Sequence, residues 1–239
     1  MTTEFLLIGL ILFFAAFTQG MSGFGFAMVS LSLLSFFMDI NSAVPLAALS
    51  GFVVNIFLLY KLKHHIVFDE VKNLVIGAVI GIPIGAYILT ITSPGVLKII
   101  LGSVIILFVL LSVTKIIKQV GLKEKWGYLF GLFSGLLGGS LNTNGPPVLI
   151  YFYLHGFDKF KQKASITGFF IFTSAMVVAV HAVSGVTTKE IFIDFVTHLP
   201  FVIVGIIAGN RAFDKISSIM YNRFILVFLF VISLFLILR

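Results

Sequence analysis

The chain has 239 residues, of which 59% are hydrophobic and only 10% charged, and its mean hydropathy is +1.17. A soluble domain carries about 25% charged residues, so a freely soluble protein is excluded, and continuous rather than alternating apolar runs exclude a β-barrel. Cysteine is absent, which removes disulfides and thiolate metal sites, and the net charge of +7 reads as cationic loops fixing membrane topology rather than as a nucleic-acid surface.

Apolar stretches run at about 5–38, 43–60, 73–91, 95–114, 127–154, 164–184, 191–210 and 220–238. No cleavable signal peptide is expected, because Glu4 precedes the first run and no basic segment leads it. A spanning helix needs about 20 residues, so six of these stretches fit one crossing each. The first and fifth are too long, and each is interrupted near its middle. The interruptions are Gln19-Gly20-Met21-Ser22-Gly23-Phe24-Gly25 and Gly135-Leu136-Leu137-Gly138-Gly139-Ser140-Leu141-Asn142-Thr143-Asn144-Gly145-Pro146-Pro147. Hydrocarbon offers a broken backbone no hydrogen bonds, so such breaks persist only where they line a cavity.

Charge placement decides how the long stretches lie. Basic residues cluster at Lys61, Lys63 and Lys72; at Lys115, Lys118, Lys123 and Lys125; at Lys159, Lys161 and Lys163; and at Arg211, Lys215 and Arg223. These clusters are assigned to the cytoplasm. Segment 127–154 lies between two of them, so it is expected to enter and leave on one side as a hairpin broken around Asn142–Pro147. By analogy, 5–38 is a hairpin broken around Gln19–Gly25 that opens to the other side.

The halves also match. Gly20 and Gly23 align with Gly135 and Gly138, Gly81 and Gly85 with Gly205 and Gly209, and Ser93 with Ser217. Matched loops carry opposite charge bias. The expected fold is an all-α polytopic membrane protein of about eight membrane segments in one domain. It is built from two inverted repeats, about 5–114 and 127–238, each a broken helix or hairpin followed by three transmembrane helices. A 4+4 parallel count is the alternative.

The second break carries the strongest chemical signal. Proline lacks an N–H and disfavours helix in the residue before it, yet suits the first turn of a new helix. A half-helix is therefore expected to begin near Pro146–Val148 with Asn144 as its N-cap, its free amide ends favouring an anion. In the first break Gln19, Ser22, Gly23 and Gly25 take the equivalent part, with Ser22 as the cap of a helix through Phe26–Phe37. Asn55 is a buried-amide candidate, because an amide in lipid needs partners. Arg211 is either a topology anchor or an anion-attracting mouth residue. The regularly spaced glycines read as helix-packing residues. Glu4, Asp39, Asp69, Glu70, Glu124, Asp158, Glu190, Asp194 and Asp214 all fall in or near loops, which argues against a carboxylate proton relay, a metal site and an intramembrane enzyme.

Gln19-Gly-Met-Ser-Gly-Phe-Gly-Phe-Ala with Pro45-Leu-Ala-Ala-Leu, Gly81-x-x-x-Gly85-Ala, and Asn144-Gly-Pro-Pro-x-x-x-Tyr151 together resemble the sulfite exporter TauE/SafE family over about residues 5–238. The resemblance implies a multi-pass transporter of the prokaryotic cytoplasmic membrane that moves sulfite, organosulfonates or related anions; a channel, or a carrier for other small anions or thiols, is the alternative reading. It would have no catalytic activity, cofactor or metal. The resemblance implies a substrate region at Gln19–Gly25 and Asn142–Pro147, and with Asn55 and Arg211 from the residue reading the candidate site is Gln19, Ser22, Gly23, Gly25, Asn55, Asn142, Thr143, Asn144, Gly145, Pro146 and Arg211. Expected partners are a small anion and the lipid bilayer; a homodimer is compatible with the sequence, and the coupling ion is not specified by it.

Overall fold

The structure, a computed structural model, describes residues 2–62, 66, 68–114, 121–155, 159–212, 227, 230, 231 and 234. Among these residues the regular structure is entirely helical: α1 (Thr2–Ser22), α2 (Phe26–Leu34), α3 (Ile40–Leu62), α4 (Phe68–Ile91), α5 (Pro94–Thr114), α6 (Trp126–Leu141), α7 (Gly145–His155), α8 (Lys159–Val183) and α9 (Lys189–Ala212). Six of them, α1, α3, α4, α5, α8 and α9, contain spans long and apolar enough to cross a bilayer. The chain is a multi-pass α-helical membrane protein. The stretch at 220–238, with the Ser93–Ser217 match and the cationic cluster at Lys215 and Arg223, lies almost wholly outside the described residues.

Both interruptions break their helices. The helices that follow have 9 and 11 residues, or about 14 and 17 Å, roughly half of a hydrocarbon core about 30 Å thick. They cannot span alone. The first interruption is lopsided, since α1 has 21 residues and is itself long enough to cross. Uninterrupted apolar sequence up to Thr18 lets it run that far.

The second interruption reverses the chain. Tyr151 in α7 returns to Phe130 in α6, with ring centroids 5.7 Å apart, and its hydroxyl approaches Gly127 at the start of α6. Ser134 Oγ donates to the Asn144 carbonyl at 2.5 Å. The α6–α7 unit is thus a hairpin with its tip inside the bundle.

Helix α4 shows why these sequences pack as they do. Ile76, Ile80, Ile84, Tyr87 and Ile91 are exposed along one face, where lipid receives them. Gly77, Gly81 and Gly85 lie on the opposite face against the backbone of Tyr128, Leu132 and Leu136 in α6. Without side chains there, two helices approach until backbone meets backbone, which is the main way membrane helices gain packing. The same seam recurs elsewhere: Gly205 and Gly209 of α9 lie on the carbonyls of Phe13 and Phe17 in α1.

Contact order along each seam gives helix direction. Residues 77, 81 and 85 meet 128–140 in ascending order, so α4 and α6 run parallel. Phe5 meets His198, Gly9 meets Phe201, and Gly209 meets Phe17, so α1 and α9 also run parallel. Helix α8 packs on both α3 and α4, and α9 on both α1 and α3. One apolar core gathers around α1, α2, α3 and α5, and another around α4, α7 and α8. Phe24, Leu149 and Val178 touch both, which places the two interruptions where the cores meet.

Candidate functional site

At the first interruption Gly23 and Gly25 have φ of 84° and 99°, values an L side chain resists. The Gly23 N–H still returns to the Gln19 carbonyl at 2.7 Å, closing α1. Ser22 Oγ sits 2.8 Å from the Thr18 carbonyl and 2.6 Å from the Phe24 carbonyl, and it accepts the Phe24 N–H at 3.3 Å. Ser22 therefore shapes the turn and does not cap α2, contrary to the sequence expectation. Gly25 occupies the N-cap position without a side chain to offer. Gln19 supplies the missing acceptor from the end of α1: its Oε1 accepts the Phe26 N–H at 3.2 Å. The other end of the same amide donates to Asn55 Oδ1 at 2.6 Å, and Asn55 Nδ2 reaches the Phe170 carbonyl at 3.5 Å. One chain of amides thus links α1, α2, α3 and α8.

The second interruption is built differently. Asn142 ends α6 in the left-handed conformation, φ 50°, which asparagine tolerates better than most residues. Its N–H returns to the Gly138 carbonyl at 2.8 Å, and the Thr143 N–H to Leu137 at 3.1 Å. Helix α7 begins at Gly145, so Pro146 and Pro147 fall inside its first turn. Asn144 stands directly before α7 and directs Nδ2 to Thr173 Oγ1 on α8 at 2.8 Å, tying the hairpin tip sideways. Asn142 is only 8% exposed, and its side-chain amide bonds no described residue.

These two tips border one cavity of about 40 Å³. Its wall includes Gln19, Gly25, Phe26, Ala27, Met28, Gly51, Asn55, Asn142, Thr143, Asn144, Gly145, Phe170 and Ser174. Of the residues singled out from sequence, Gln19, Gly25, Asn55, Asn142, Thr143, Asn144 and Gly145 come together here. Ser22 and Gly23 shape the turn behind the wall. Pro146 lines a neighbouring apolar groove with Pro147, Phe108 and Leu137. Arg211 is exposed at the end of α9, away from the cavity wall.

The sequence reading missed Phe26–Met28, Gly51, Phe170 and Ser174 as wall residues. A start of α2 at Phe26 was the available signal for the first three. It also left Glu70 among the loop residues, whereas Glu70 is buried in the first turn of α4 and accepts a hydrogen bond from Tyr151 Oη at 3.0 Å. His198 holds two carbonyls, those of Asp194 at 2.7 Å and Phe5 at 3.1 Å, and pins the beginning of α1 to α9. His181 bonds the Gly139 carbonyl at 2.7 Å. Among the described residues no cluster of His, Asp and Glu is arranged to hold a metal ion.

Chemically, the cavity is a small neutral polar chamber. It offers amide and hydroxyl groups and the amino-terminal ends of two short helices, the arrangement that binds anions in proteins. A protein-family model described as Sulfite exporter TauE/SafE matches residues 8–236, nearly the whole chain. Curated proteins and solved structures give no match.

Proposed function

The chain belongs to the sulfite exporter TauE/SafE family, and from that premise we propose that it carries sulfite or a small organosulfonate across the prokaryotic cytoplasmic membrane by alternating access. The observation that carries the reading is the convergence of both helix interruptions on one polar cavity. Interrupted helices in corresponding places are where transporters hold their substrates. Gln19, Asn55, Asn142, Thr143, Asn144 and Gly145 would form the binding wall with Gly25 and the start of α2.

The moving parts are two inverted repeats, about 5–114 and 127–238. Their support is reciprocal packing: α4 of the first lies along α6 of the second, and α9 of the second lies along α1 of the first. An alternation of direction from each helix to the next would set α1 and α6 in opposite senses. Rocking the two seams about the shared cavity would expose it to one side and then the other. Purified protein in liposomes tests the reading. Saturable sulfite flux with counterflow is expected, and counterflow separates a carrier from a pore. Absence of flux for sulfite and for every sulfonate tried would refute it.

A further inference from the structure

We propose that the cavity accepts monovalent oxyanions and rejects divalent ones of the same shape, so that hydrogen sulfite rather than the sulfite dianion is the carried species; this rests on the transport reading above. The first ground is the wall. Its polar side chains are Gln19, Asn55, Asn142, Thr143, Asn144 and Ser174, and among the described residues it includes no Lys, Arg, His, Asp or Glu. Positive potential comes instead from the starts of α2 and α7. Each helix end is worth about half a positive charge, so together they balance about one negative charge.

The donors are also few. The Phe26 N–H is taken by Gln19, and one of the two N–H donors of Asn144 Nδ2 by Thr173. Pro146 and Pro147 have no N–H to give, which leaves Gly145 alone in the first three positions of α7. Ala27 and Met28 contribute the next amides of α2, since Val29 already bonds Gly25. Asn142 is the independent pointer to a ligand. It is over nine-tenths buried, it lines the cavity, and its side chain bonds no described residue. An amide turned to the cavity with no described partner is one that a bound oxyanion would satisfy.

Size completes the case. A cavity of about 40 Å³ has room for roughly three waters, so an anion there gives up part of its hydration shell. The Born cost of that loss grows with the square of the charge, about four times larger for a dianion. Carriage of hydrogen sulfite also moves a proton with the substrate, without a carboxylate relay.

Two pairs of anions separate charge from shape: chlorate and sulfite are isoelectronic pyramids, and perchlorate and sulfate are isoelectronic tetrahedra. Full-length protein in liposomes, with protein-free vesicles as baseline, measures flux of each across a pH series. Chlorate flux is expected to be flat with pH. Above the second ionisation of sulfurous acid, sulfite flux is expected to fall about tenfold for each pH unit, as its monoanion fraction does. Perchlorate is expected to compete at a tenth or less of the sulfate concentration. Sulfate competing as well as perchlorate, or sulfite flux rising with pH while chlorate is carried, overturns the charge selectivity and leaves the transport reading standing. No flux for any of the four overturns the charge selectivity, and if every sulfonate is also silent it overturns the transport reading with it.

Discussion

Gln19 is the residue on which the first interruption turns, and two substitutions separate its structural and electrostatic parts. Gln19→Ala removes the acceptor of the Phe26 N–H and the donor to Asn55 Oδ1. Each partner left unpaired in a buried site costs about 1–3 kcal/mol. Water from the adjoining cavity can reach both, which holds the total to about 2–4 kcal/mol. Gln19→Glu keeps the acceptor and places a carboxylate at the start of α2, a gain of about 0.3–1 kcal/mol. Asn55 can turn its amide to donate to the new carboxylate at the expense of its long bond to Phe170. The charge, however, now stands on the cavity wall. At about 4 Å and an effective dielectric constant of about 20, it opposes a bound anion by about 4 kcal/mol. Unfolding of the detergent-solubilised protein and anion flux in liposomes should therefore diverge. The alanine variant loses stability, whereas the glutamate variant stays near wild-type stability and loses at least 100-fold in flux. A glutamate variant that transports normally, or an alanine variant with an unchanged unfolding midpoint, would refute the reasoning.

Asn142→Gly retains the left-handed backbone and deletes only the amide; stability should hold within about 1 kcal/mol while anion flux falls more than tenfold, measured by the same two assays. Gly81→Ala would push a methyl group onto the Leu132 carbonyl and to 2.8 Å from the Leu136 nitrogen, so a loss of about 1–3 kcal/mol is expected in unfolding experiments. Gly95→Ala meets nothing within 4 Å and serves as the neutral control. A double-mutant cycle of Tyr151→Phe with Glu70→Ala should return a coupling of about 1 kcal/mol or more, the bond between α7 and α4 being buried. Arg211→Gln should leave the apparent KM within about twofold, because an exposed charge is screened over about one Debye length; a tenfold rise would restore Arg211 to the substrate path.

The interruptions were legible in the sequence for a physical reason. Glycine, asparagine and proline at membrane depth cost too much to sit there without a purpose, so Gly23, Gly25, Asn142 and Pro146 mark the breaks from composition alone. The glycine seams were legible as packing surfaces because a four-residue repeat returns to one helix face. Their partners were not, since nothing local in Gly81 says that it meets Leu132 rather than another helix. Capping went wrong at the first break for a related reason. Local rules look for the acceptor close before the helix, and there they found Ser22. The actual cap of α2 comes from Gln19, seven residues upstream and across a turn. At the second break Asn144 stands directly before α7, and its Nδ2 is tied sideways to α8. Arg211 was ambiguous because a charge at the end of a membrane helix serves topology or substrate with the same sequence pattern. Only the position of α9 against α1, fixed by Gly205 and Gly209, sets it outside the cavity wall.

The most direct measurement is the position of a bound anion. Crystals of the full-length protein grown near neutral pH with selenite, the heavier congener of sulfite, would locate it by the anomalous signal of selenium. The expected peak lies between the start of α2 and the Asn142–Gly145 tip, within hydrogen-bonding distance of the Asn142 amide. A peak at Arg211 and none in the cavity would contradict the assignment.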